Sequence, residues 1–450
     1  VKRNSICLWG AFFVLASLIL PSLGSISGSY VYAAGDDSSN GSGGEPTLEA
    51  DACRTLLDRF HPQGASARQL RSTLEQARRE SHSLMQFFAP DEQGESMATR
   101  HPLIGMNAGQ RFLAMLYEQG YRQVRSLQDG TTIYRRFAAL YDGVKEAEGR
   151  RLIGHEHVGD VLVQHMEMAA DGFKAGLKVW ISVGNPGSGK SESREVLRTI
   201  AKNKSLSDPR FFLYTYDYIN LHDIPELRLF FPPNEDGITL PVSEPQNKSP
   251  LCLLPEVYKQ AVLNQINPKV VEMIERDADP RLTLSPKSQF IRDKIIEHYT
   301  QKDIAEGRGE PGPDRVMSFL NRHVRIKRFI YGDPGTFPTI NFQGKGVNLG
   351  ALLMRPDMAM QAVVPDHHPM AHQYGQIVSA DGGVVLLEEV LKNDENMQNA
   401  LLDVIQARRY SIEGAAPVEF DVVFMGTTNT DDILKLQEKA KSHKQPILDR

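Results

Sequence analysis

The feature that most constrains this chain is a glycine-rich stretch, Gly184-Asn185-Pro186-Gly187-Ser188-Gly189-Lys190-Ser191. It follows a short apolar run, residues 177–183 (LKVWISV), and precedes a helical pattern over 192–200. The pattern G-x-x-x-x-G-K-[ST] needs glycines because the backbone turns tightly and must aim its N–H groups at phosphate oxygens. Lys190 is then placed to reach the β- and γ-phosphates, and the Ser191 hydroxyl to ligate Mg²⁺. The helix that starts here points its positive end at the same spot. A strand before the loop and a helix after it separate this motif from a chance glycine cluster.

Three further apolar runs read as strands: 211–216 (FFLYTY), 384–387 (VVLL) and 422–427 (VVFMGT). They do not alternate polar with apolar residues, which suits a parallel sheet buried on both faces. Helical patterns between several of them imply an α/β fold with helices flanking the sheet. The run 384–387 ends in Glu388 and Glu389. Such a pair fits one acid holding Mg²⁺, here Glu388, and a second, Glu389, activating water. The metal-side position is usually Asp; Glu388 is one methylene longer, which predicts slower hydrolysis because magnesium demands tight geometry. The last run delivers Asn429, placed to sense the γ-phosphate and orient water. Arg450, in Leu448-Asp449-Arg450, is a candidate finger reaching a neighbour's γ-phosphate in a ring. The cluster Asp366, His367, His368 and His372 reads as a polar loop rather than a metal site, because Pro369 breaks helical spacing and no cysteine is close.

At 450 residues the chain has room for two or three domains. Its 41% apolar and 24% charged residues are those of an ordinary globular protein. A net charge of −5 gives no large basic surface, so no nucleic-acid partner is expected. Three cysteines, Cys7, Cys53 and Cys252, are too few for a disulfide framework. Residues 1–34 have the order of an export signal: Lys2 and Arg3, an apolar run over 6–20, then small residues up to Ala34. The run is short of the roughly 20 residues of a spanning helix. A cleaved signal is the first expectation and a membrane anchor the second, both placing the bulk of the chain outside the cytoplasm. Residues 35–47 read as a flexible Gly/Ser/Asp linker. Residues 48–149 carry helical spacing and read as a helical N-terminal region. The stretch 219–381 is too long for a simple crossover and reads as an insertion with a Pro-rich part and helices over 255–276 and 288–299.

Taken together these residues resemble the AAA+ domain of the PrkA family of bacterial serine protein kinases. The likeness begins at Leu152-Ile153-Gly154-His155-Glu156-His157-Val158 and runs through Gly184 to Ser191. It resumes at Ser249-Pro250-Leu251 and at Phe329-Ile330-Tyr331-Gly332-Asp333-Pro334-Gly335. It continues from Gly383 through Glu389 and residues 401–410 to Leu448-Asp449-Arg450. The resemblance implies a P-loop NTPase core over 150–450, ATP and Mg²⁺ as ligands, a protein partner and ring formation. It carries over Glu389 better than Glu388. Family members are cytosolic and continue past Leu-Asp-Arg with a last strand, a helical lid and a kinase-like domain. The expectation is therefore a truncated or split chain. Three functions stay open: an ATPase coupled to a protein partner, a serine/threonine kinase, and a non-enzymatic scaffold. Against the kinase, the chain has no H-R-D loop and no D-F-G.

Overall fold

The computed structural model describes residues 65–126, 130–143, 149–154, 156–172, 178–185, 187–266, 282–332, 335–342, 348–392, 395–412 and 414–435. The expected signal (1–34), the linker (35–47), Cys7, Cys53, Pro186 and Arg450 lie outside the described residues. The chain divides into two compact units, Glu75–Thr430 and a second made of Val1–Leu74 with Asp431–Arg450. Of the second unit, the described residues 65–74 belong to the helix Ala65–Arg79, and 431–435 are helical. No described helix is long and apolar enough to cross a membrane. Everything below concerns the larger unit.

Along the chain come β1 (Ser81–Ser83), α1 (Ala108–Tyr117), β2 (Tyr121–Arg125), β3 (Ile133–Phe137), α2 (Glu156–Ala170), β4 (Trp180–Val183) and α3 (Lys190–Ser207). Then follow β5 (Leu213–Tyr218), β6 (Val242–Ser243), α4 (Pro286–Ala305), α5 (Pro313–His323), β7 (Val324–Phe329) and β8 (Thr339–Asn341). The unit closes with β9 (Val384–Glu388), α6 (Glu395–Ala407) and β10 (Val423–Thr428). Local chemistry sets several of these boundaries. Asn107 caps α1 by accepting from the Gln110 N–H, and the Gln110 side chain accepts in return from the Asn107 N–H. Ser285 caps α4 by accepting from the Ser288 N–H, with Pro286 at the first helical position.

The expected parallel sheet is present, in the order β4-β10-β9-β8. Its pairings are parallel throughout: Thr428 lies opposite Val183, Gly426 opposite Leu387, and Ile340 opposite Leu387. The two central strands explain why their sequence does not alternate. Val384, Leu386, Val423 and Met425 face a core shared with α1, α2 and α3, built on Phe112, Leu162, Met166, Val196 and Ile200. Val385, Leu387 and Phe424 face the opposite core, with Leu401, Val404 and Ile405 of α6. A strand buried on both sides has no solvent face to mark with polar residues.

Three expectations need correction. The run 211–216 does form a strand, β5, but it pairs antiparallel with β7 and β6 in a separate sheet of order β1-β7-β5-β6. An apolar run reports burial on both faces, not the direction of its neighbours. This sheet backs a third core with α4 and α5, built on Tyr216, Tyr218, Ile291, Ile295, Phe319 and Leu320. The inserted stretch 219–381 returns to the parallel sheet earlier than expected, since β8 at Thr339–Asn341 pairs with β9. The region 48–149 is not wholly helical: β1 pairs with β7, and β2 and β3 form an antiparallel hairpin.

The inserted part is tied to the parallel sheet by a buried ion pair. Lys248 Nζ lies 3.2 Å from Asp381 Oδ1, and both residues are buried (1% and 5% exposed). Lys248 also donates to the Glu419 carbonyl, and Asp381 Oδ1 accepts from the Asp421 N–H at 2.6 Å. Burial pushes the Asp381 carboxyl up to about 6, against the pull of Lys248. The turn that follows is held as well: the Gly382 carbonyl accepts from the Tyr331 hydroxyl at 2.6 Å and from Arg111. The entrance to β9 is thus fixed from three elements.

Removing one partner of a buried pair leaves the other charge without compensation. Lys248→Met is expected to lower the unfolding free energy by about 3–5 kcal/mol, and the Lys248→Met/Asp381→Asn double variant to recover part of that loss. Urea denaturation of the three chains checks it.

A second prediction concerns pH. His165 on α2 is buried, and its Nε2 meets no hydrogen-bond partner among the described residues. Burial, helped by the Arg408 charge, pulls its pKa from 6.5 down to about 4. The unfolded chain therefore takes up this proton first as pH falls. The contribution to stability is complete above 6.5 and is lost as pH drops through 4. His165→Leu should flatten the pH dependence of the urea midpoint between 6.5 and 4 relative to the unmodified chain.

Candidate nucleotide site

Four sequence-selected elements meet at one end of the parallel sheet. The loop 184–189 leaves β4 and enters α3 at Lys190. Gly187 and Gly189 hold φ of +80° and +84°, and a Cβ at either would meet nothing within 4 Å. Glycine is required there by the backbone conformation, not by lack of space. Gly189 caps α3 without any side-chain hydrogen bond. The Glu192 N–H turns back to the Gly189 carbonyl, and a helix start of this kind, with no side chain over its first N–H groups, is the arrangement that accepts an anion. The loop is anchored to β10: the Gly184 N–H donates to the Thr428 carbonyl at 3.4 Å. Ser188 donates its N–H to the Asn185 carbonyl, closing the turn.

Lys190 bridges loop and sheet. Its ammonium donates to the Gly184 carbonyl, to the Asn185 carbonyl at 2.9 Å and to Asn429 Oδ1 at 3.4 Å. Partial burial pulls its pKa below the ordinary lysine value, opposed by the Glu389 carboxylate. Asn429, just past β10, turns its other face to Glu389: Nδ2 donates to both carboxylate oxygens at 3.1 Å. Glu389 also pairs with Lys392 at 3.2 Å, and its N–H donates to Thr427 Oγ1. A continuous polar chain therefore runs from Lys190 through Asn429 to Glu389.

Glu389 adopts φ +56°, the left-handed region that side chains other than glycine and asparagine rarely enter. Strain of this kind persists where surrounding structure over-determines it, and it concentrates at functional sites. Here the strand end, Asn429, Thr427 and Lys392 all fix the same residue.

The structure brings Lys190, Glu389 and Asn429 together. Ser191 sits in the first turn of α3 and is exposed. Glu388, the last residue of β9, makes an ion pair with Arg194, one turn beyond Lys190 on α3. Arg194 and Lys392 were missed by the sequence reading. The signal for Arg194 was present, because residues four apart on a helix share a face, so Arg194 follows Lys190 over the same acids. Ser191 and Glu388 offer the hard oxygens that Mg²⁺ takes, alongside phosphate oxygens and water.

The His-rich loop has a different role. The His368 ring stacks on Phe230 at 5.2 Å and meets Phe290 edge-on, and its Nδ1 accepts from the Met370 N–H. No group of three His, Cys, Asp or Glu able to hold a metal occurs among the described residues. Cys252 is a buried thiol whose pKa burial pushes up to about 12.

With this geometry in place, comparison with known proteins adds one match. Residues 369–444 match the family model of the Sigma-54 interaction domain. The matched segment contains β9 with Glu388 and Glu389, α6, and β10 with Asn429. That family is one of AAA+ ATPases, so the match supports an AAA+ ATP-binding module without selecting the PrkA family within it. No curated protein matches the chain.

The left-handed backbone at residue 389 gives a direct test. Glu389→Gly and Glu389→Ala both remove the carboxylate, but only glycine relieves the backbone strain. Glu389→Gly should be more stable than Glu389→Ala by about 1 kcal/mol in chemical denaturation.

Proposed function

We propose that this chain binds ATP with Mg²⁺ at the end of the parallel sheet and couples its hydrolysis to a protein partner. The observation that carries the reading is the hydrogen-bonded chain from Lys190 through Asn429 to Glu389, set beside a glycine loop and the start of α3. ATP with its metal supplies the electrophilic γ-phosphoryl group. The loop N–H groups and the Lys190 ammonium hold the phosphates. The Ser191 hydroxyl and the Glu388 carboxylate are the groups that would hold the metal. Glu389 takes the proton of the attacking water, and Asn429 fixes the rotamer of that carboxylate through both its oxygens. Lys392 pairs with Glu389 and helps hold that carboxylate in place.

Arg450 is proposed to act across a subunit interface in a ring of copies. The description of the matched family names sigma-54, which makes a sigma factor the first class of protein partner to test. The resemblance to PrkA favours, as a second reading, transfer of the γ-phosphoryl group to a serine or threonine. A labelled-ATP assay distinguishes the two by whether label appears in protein or as free phosphate. Residues 1–34 are proposed to direct export or anchoring.

The test uses a fluorescent ATP analogue and the 450-residue chain. Lys190→Ala is expected to weaken Mg²⁺-dependent binding by about 100-fold, and Glu389→Gln to bind normally while hydrolysing about 100-fold more slowly. Equal binding by Lys190→Ala and the unmodified chain would remove the reading.

A further inference from the structure

Two consecutive acids end β9, and two cations one helical turn apart on α3 stand over them. Lys190 reaches Glu389 through Asn429, while Arg194 binds Glu388 directly. The second contact is the unexpected one, because Glu388 is also the acid best placed to hold a metal. Arg194 is well enclosed: its side chain is 15% exposed and that of Glu388 is 22%. The pair lines a narrow crevice walled by Trp180, Leu386 and Met425. Partial burial strengthens the attraction between guanidinium and carboxylate. The Arg194 Nε–H is in turn directed at Glu195 Oε1 at 3.2 Å, which holds the guanidinium in its plane.

We propose, building on the nucleotide-site reading, that Arg194 is a latch that competes with Mg²⁺ for Glu388. A carboxylate oxygen that accepts from a guanidinium is not free to face a cation, and two positive charges cannot share it at close range without repulsion. Arg194 must therefore release Glu388, turning toward Glu195 or solvent, before that carboxylate can serve the metal. The extra methylene of a glutamate gives its carboxylate more reach than an aspartate, and in the structure that reach is used to meet Arg194. The consequence is a site whose affinity for nucleotide alone is set by Lys190 and the loop, while its demand for metal is set by Arg194. Tight binding then switches on only when Mg²⁺ is plentiful enough to outcompete the guanidinium.

The experiment titrates Mg²⁺ against a fixed concentration of fluorescent ATP analogue and reads the half-saturating metal concentration. Arg194→Gln is expected to lower that concentration roughly fivefold, the worth of about 1 kcal/mol of charge pairing. Its affinity for the analogue in excess chelator should stay within twofold of the unmodified chain. Arg194→Lys keeps the positive charge and should lie close to the unmodified chain. If Arg194→Gln does not fold by circular dichroism, Arg194→Met serves instead, since it keeps the aliphatic stem, removes the charge and should lower the metal requirement in the same way. A half-saturating concentration that is unchanged or higher in the folded variant would overturn the latch. Failure of the unmodified chain to bind the analogue at any Mg²⁺ concentration would instead remove the nucleotide site itself, and the latch with it.

Discussion

The geometry of this molecule depends on one strand sitting between two others. β10 pairs in parallel with β4 on one side and β9 on the other. Because all three run the same way, their C-terminal ends finish at one edge of the sheet, where ligands bind in open α/β folds. The register then does the rest. Thr428 lies opposite Val183, so Asn429 emerges next to the glycine loop. Gly426 lies opposite Leu387, so the same asparagine also reaches the acid two residues later. A one-residue slip would turn every side chain of β10 to the other face and separate Lys190 from Glu389.

The ladder is protected by burial on both sides. Val423 and Met425 pack toward α1, α2 and α3, and Phe424 toward α6. At the opposite end of β9, the Lys248–Asp381 pair and the bonds to the Gly382 carbonyl hold the incoming turn. Rigid anchorage behind a strand is what allows strain at its tip, and Glu389 in left-handed conformation is that strain. The inserted antiparallel sheet thus contributes to the site without touching it.

Much of this was legible in the sequence, for identifiable reasons. A phosphate loop needs particular residues at fixed offsets, so the span from Gly184 to Ser191 stands out from any background. Strands buried on both faces are continuous apolar runs, so β9 and β10 were visible as strands, and β4 was visible as the apolar run leading into the glycine loop. Their parallel direction followed from the helices between them. What stayed hidden was non-local. β5 has the same apolar character as β9, and only its partner, β7, more than a hundred residues away, makes it antiparallel. β8 is three residues long, too short for any periodicity to register. Among the site residues, Lys190, Glu389 and Asn429 were readable because each ends or starts an element. For Arg194 the sequence shows a place on the Lys190 face of α3, but which acid it meets depends on which strand faces that helix.

If the glycine loop and the β10 strand end form one phosphate-binding surface, nucleotide must reach both. Hydrogen–deuterium exchange with and without saturating ATP and Mg²⁺ measures this. Nucleotide is expected to slow exchange in two segments distant in sequence, 184–193 and 426–430, together and with the same concentration dependence. Protection of the loop alone, or of neither segment, would contradict it.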